Sequence, residues 1–109
     1  MITKQEFPYA THIGYTDRDP YEVVRVISGK TIEVREMDAV FDDSVKLEFH
    51  VGGFSAHCSN QRDQKWHITS NPENPIIRLR LSRIKGWQDK YGRRFMLSDK
   101  PIKFHDYNF

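Results

Sequence analysis

Tyr21-Glu22-Val23-Val24-Arg25-Val26-Ile27-Ser28-Gly29-Lys30-Thr31-Ile32-Glu33-Val34-Arg35-Glu36-Met37 is the stretch that decides the fold. Both of its halves are rich in β-branched residues, which suit a pleated, half-buried surface. Ser28-Gly29-Lys30 joins them, and Gly29 offers the positive φ that a short hairpin loop favours. In the second half Ile32 and Val34 share one face, with Thr31, Glu33 and Arg35 on the other. Period two with one wet face predicts an antiparallel hairpin over Tyr21–Ile27 and Thr31–Met37.

The same signal recurs outward from this hairpin. Ile77, Leu79 and Leu81 alternate with Arg78 and Arg80 in Ile76–Leu81. Leu47–Val51 and Lys65–Ser70 read as further strands, and Tyr9–Tyr15, Ile84–Trp87, Arg94–Leu97 and Ile102–Tyr107 as weaker ones. Thr16–Pro20, Asn71–Pro75 and Lys90-Tyr91-Gly92 carry turn residues. Asp38–Lys46 is acidic and turn-like. Gly52-Gly53 marks a bend or bulge. The run from His50 to Trp66 reads as a polar, amide-rich connection suited to a binding pocket. No long window has a 3.6-residue period. The expectation is an all-β chain of mostly antiparallel sheet, a small sandwich or open barrel with at most one short helix.

The 109 residues suit one β-rich ligand-binding domain spanning 1–109. Aromatics are 13% of the chain, so rings must fill much of the core and also supply flat contact surfaces. Assembly is therefore expected to share in stability. The net charge of +2 is unevenly spread: residues 1–61 hold 6 Lys/Arg and 10 Asp/Glu, residues 62–109 hold 11 and 5. This asymmetry fits either complementary halves or a basic surface for an anionic ligand. A single cysteine, Cys58, excludes an intrachain disulfide and suits a reducing compartment. No apolar run reaches membrane-spanning length, and the first residues carry no apolar signal core. A cytoplasmic protein with no membrane association is expected.

Several chemistries fail on residue type or spacing. His50, His57, Cys58 and His67 lack the paired spacing of a zinc site, so no metal is expected. Cys58 has no helix N-terminus to activate it and reads as a small buried side chain. His67-Ile68-Thr69 has no second His-x-Thr partner to complete an acid–base pair. Gly52-Gly53 lacks the lysine and following helix of a P-loop. The chain is read as a non-enzyme without cofactors. Anion recognition is the best candidate: Arg25, Arg78 and Arg80 offer guanidinium forks that match phosphate oxygens. Asn60 and Gln61 supply amides for a base edge, and Phe49, Phe54 or Trp66 a ring to stack on a base. The competing reading is a solvated strand face.

Thr16-Asp17-Arg18-Asp19-Pro20-Tyr21-Glu22-Val23, Gly52-Gly53-Phe54-Ser55-Ala56-His57, Asn60-Gln61 and the closing Phe104-His105-Asp106-Tyr107-Asn108-Phe109 give the chain a further resemblance. From about Asp17 onward it resembles small phage-encoded proteins, most of all the first type of Thoeris anti-defence protein. The resemblance implies a sponge that binds cyclic ADP-ribose immune signals, and cyclic oligonucleotides of the related CBASS defence, without cleaving them. It implies dimers that build hexamers in the bacterial host cytoplasm, with ligand at subunit interfaces. It also implies a pocket of Phe49, Asn60, Arg25 and Arg78, with Phe54 or Trp66 stacking the base if Phe49 is core. The alternatives are a protein-binding accessory module and a weak single-stranded nucleic-acid binder, though nucleic acid is the less expected partner.

Overall fold

The computed structural model describes residues 7–52 and 55–108. The predicted hairpin forms from β2 (Arg18–Ser28) and β3 (Thr31–Glu36). Ile32 and Val34 are fully buried, as their alternation predicts. β2 departs from strict alternation, because its register shifts between Val23 and Arg25 and again between Val26 and Ser28. The residues packed inward are therefore Tyr21, Val23 and Val26. Such irregularities add local twist and help a sheet to curl.

Three local expectations need correction. Gly29 does not take a positive φ; among the described residues only Gly86 (φ 74°) and Gly92 (φ 84°) do. The reversal instead uses the shifted register beside it and the Ser28 hydroxyl, which accepts the Lys30 N–H at 3.2 Å. The turn before β2 is also shorter than its residues suggest. Arg18, Asp19 and Pro20 already lie in the strand, and the Pro20 carbonyl accepts the Met37 N–H at 2.9 Å. Lastly, Ile102–Tyr107 forms no strand, only a bridge between Phe104 and Arg18.

β1 (Tyr9–Ile13), β8 (Ile76–Ser82), β9 (Gly86–Gln88) and β10 (Arg94–Ser98) complete the sheet. Its order is β1-β10-β9-β8-β3-β2, with β1 paired to both β2 and β10. The fold is all-β and mostly antiparallel, as expected, and its main sheet is a closed six-stranded barrel in place of the sandwich or open barrel foreseen. Closure leaves this sheet without an edge strand, although β8 and β10 both run on past the short β9. Ala10, Tyr21, Ile32, Val34, Leu79 and Phe95 fill it, and Val23, Val26, Ile77, Trp87 and Leu97 pack around them. Tyr21 and Phe95 meet edge to face at 5.0 Å between ring centroids, a favoured aromatic geometry.

β3 and β8 are neighbours in the barrel, yet residues 37–75 lie between them in sequence. This excursion begins and ends in a ribbon of β4 (Asp38–Phe41) and β7 (Trp66–Thr69). β4 falls where a turn was expected. Beyond the ribbon, β5 (Phe49–Gly52) pairs with β6 (Ser55–Cys58), and a 3-10 turn spans Gln61–Asp63. The run expected to be a polar connection is therefore largely a second hairpin. The molecule measures 54 × 29 × 23 Å, with a radius of gyration of 16.2 Å. A compact chain of this length would have about 13 Å. No helix among the described residues is long and apolar enough to cross a membrane.

Candidate functional site

β8 outlasts β9 on the barrel surface. Arg80 pairs with Gln88, but Arg78 lies beyond the last β9 pair and faces the turn that follows. Arg78 and Arg80 are exposed on alternate residues of β8, while Leu79 between them is buried. The result is a groove of about 650 Å³ between β8 and the β9–β10 turn. That volume lies within the range of small-molecule sites. Arg78, Arg80, Gln88, Lys90, Tyr91 and Arg93 line it, together with Asp89 and the apolar side chains of Ile76, Ile77 and Leu81.

The turn owes its shape to Asp89. Its carboxylate accepts the N–H groups of Tyr91 and Arg93, each at 2.9 Å, and the Arg93 Nε–H. Gly92, at φ 84°, completes the reversal, a conformation that glycine enters without a Cβ penalty. Burial raises the Asp89 carboxyl, but its bonds to the Arg93 side chain and to two backbone amides outweigh that. It stays below the ordinary carboxylate range. Asp89 therefore remains charged and fixes the Arg93 guanidinium on the groove wall. Tyr91, 75% exposed, presents a flat ring beside it.

The arginine pair expected to hold phosphates is brought together, with a carboxylate between its members. Arg25 on β2, Glu33 on β3 and Arg78 on β8 stand in register across three strands. One Glu33 oxygen accepts from Arg78 at 2.9 Å, and the other lies 3.9 Å from Arg25. Of the three arginines expected to hold an anion, Arg78 and Arg80 line the groove and Arg25 does not.

Asn60 and Gln61 have local duties instead. Asn60 Oδ1 accepts the Glu48 N–H at 2.6 Å, and its Nδ2 donates to the Lys46 carbonyl at 2.8 Å. Gln61 Oε1 accepts the Tyr107 N–H at 2.8 Å. Phe49 is half exposed and meets Tyr107 edge to face at 5.7 Å. Trp66 packs on Phe41, with the Lys103 ammonium 5.3 Å from its ring centre. Cys58 is buried, as its residue type suggests. Phe54 lies outside the described residues.

The lining residues absent from the sequence expectation are Gln88, Lys90, Tyr91 and Arg93. A signal for them exists in composition: residues 76–94 carry seven Lys/Arg and one acid, Asp89. Alternation marks Arg78 and Arg80 as outward-facing. It says nothing of which turn will face them, because that depends on β9 being shorter than β8. Comparison with protein-family models, curated proteins and solved structures gave no match.

Proposed function

We propose that the protein captures a small phosphate-bearing nucleotide in the β8–β9–β10 groove and releases it chemically unchanged. The observation that carries this reading is the groove's lining: four cationic side chains, an exposed tyrosine ring and one amide around about 650 Å³. Guanidinium forks match phosphate oxygens, a ring stacks on a base, and Gln88 meets a base edge. Stacking contributes on the order of 1–3 kcal/mol per base. Capture rather than turnover suits these groups. The Asp89 carboxylate holds the Arg93 guanidinium in its charged form, and Asp89 is itself committed to Arg93 and the turn.

The resemblance to the first Thoeris anti-defence type narrows the ligand to a cyclic ADP-ribose signal. It makes the protein a phage sponge acting in the host cytoplasm as a homo-oligomer. Assembly has support of its own in the β5–β6 hairpin. Among the described residues no third strand joins it, and Val51 on it is 91% exposed. An isolated two-stranded hairpin is marginal in water, so a second copy has a place to add contacts.

Titration calorimetry with cyclic ADP-ribose isomers tests the reading, with single-stranded DNA titrated in parallel at two salt concentrations. Binding that Arg78→Ala weakens by about tenfold, from loss of a charged hydrogen bond, supports it, as does recovery of intact ligand after heating. Absence of binding, or recovery of an altered product, ends it. One specific feature favours a second reading: seven Lys/Arg against one acid over residues 76–94 also attract a polyanion. DNA binding that falls steeply with salt identifies that case.

A further inference from the structure

Among the described residues, Arg78 is the groove cation held by an acid from outside the groove. Glu33 is not a lining residue, yet its carboxylate engages Arg78 Nη2 at 2.9 Å from the neighbouring strand. The Glu33 side chain is only 18% exposed, whereas those of Arg78 and Arg25 are 48% and 69% exposed. The carboxylate is thus withdrawn between two arginines whose outer nitrogens face solvent. A guanidinium carries five N–H donors, and this contact uses one donor of Arg78. The three-residue row keeps a net positive charge.

We propose that Glu33 is a resident counter-anion of the groove, one that an incoming phosphate must outcompete for Arg78, and that it thereby sets the groove's affinity. This inference rests on the nucleotide-binding reading of the same groove. A carboxylate already seated on Arg78 satisfies part of the fork in the empty protein. The arginine is held in place, and the net gain from a phosphate shrinks by whatever the Glu33 contact was worth. A part-exposed ion pair of this kind contributes little to the fold, so its removal leaves the barrel standing. The effect on ligand affinity is the larger one, because the ligand draws on the same donors.

The test compares the intact chain with Glu33→Gln, Glu36→Gln and the double variant Glu33→Gln/Arg78→Ala, with Arg78→Ala as its reference. Glu36 is exposed at the end of β3 and removes the same charge away from Arg78. With cyclic ADP-ribose as the probe, Glu33→Gln tightens binding about twofold to fivefold. Glu36→Gln leaves binding within experimental error, and the gain from Glu33→Gln disappears once Arg78 is absent. Wild-type binding with no gain in Glu33→Gln overturns the inference and leaves the nucleotide reading intact. An equal gain in Glu36→Gln, or a gain that survives loss of Arg78, also overturns it by reducing the effect to overall charge. No binding by wild type or by Glu33→Gln overturns both.

Discussion

The barrel and the excursion attached to it are held together by different forces. Six buried side chains fill the barrel, and its hydrogen-bonded ladder closes on itself. In the excursion most side-chain hydrogen bonds involve an amide. Asn60 bridges Lys46 and Glu48, and Gln64 clamps His105 through both its carbonyl and its N–H, at 2.8 and 2.9 Å. Asn108 does the same to Cys58, at 2.7 and 2.8 Å. Asn71 and Asn74 tie its end next to the barrel to Asp38 and the Glu36 carbonyl. The C-terminal segment runs between the two regions as a strap, paired to Arg18 on the barrel and to Gln61, Gln64 and Cys58 on the excursion. Apolar burial weakens only when a region loses its packing as a whole. Each amide contact is worth about 0.5–1.5 kcal/mol net and competes with water. The barrel is therefore expected to open globally, and the excursion locally.

The strongest challenge to this contrast is Leu79→Ala. It empties the middle of the barrel and should cost about 2–5 kcal/mol, read as a shift of the whole urea transition by circular dichroism. A separate early transition with an unmoved main one would show that the barrel is not the cooperative unit. Next in size is Asn108→Ala, which removes both contacts to Cys58 and should cost about 1–2 kcal/mol. Its effect belongs in amide exchange: faster exchange over β5, β6 and the strap, with β3 and β8 protected as before. Equal acceleration in the barrel would merge the two regions.

The smallest expected effect is acidification. Asp89 sits below its ordinary range because Arg93 and two backbone amides outweigh its burial. Its contribution is fully present above the unfolded carboxylate value near 4, and it is lost as pH falls through the lower folded value. Acid should loosen the β9–β10 turn inside the otherwise durable region, and Asp89→Asn should flatten the acid slope of stability. An unchanged slope would place the acid sensitivity elsewhere, for instance at Asp19. There burial raises the carboxyl and Lys103 and His12 lower it further than that, leaving it depressed.

What the sequence revealed follows the same division. β3 and β8 are legible because one face of each meets a dry core, so Ile32, Val34 and Leu79 recur at period two. β4 is not legible, because it has no such face: Val40 is exposed, and Asp38-Ala39-Val40-Phe41 reads as a turn. Barrel closure depends on β1 meeting β10, a pairing that no local pattern encodes. The site was half legible. Alternation made Arg78 and Arg80 outward-facing, and β3 put Glu33 on the same face as Arg25. Asn60 and Gln61 look like ligand-reading amides because an amide that grips a ligand and one that grips its own backbone are the same residue. Only the position of Lys46, Glu48 and Tyr107 separates the two roles. Tyr91 and Arg93 are reached through the turn that Asp89 shapes, and that turn becomes visible only once the strand lengths are known.

The β1–β10 seam bears on how the molecule is made. Tyr9 meets Ser98 and Ile13 meets Arg94, so partners separated by most of the polypeptide must find each other late. Folding slows as contacts become more distant along the chain. On the ribosome, everything from β2 to β9 emerges before the cylinder can be sealed. During that interval the nascent protein carries two open sheet margins, on β1 and β9, and both await the same strand, β10.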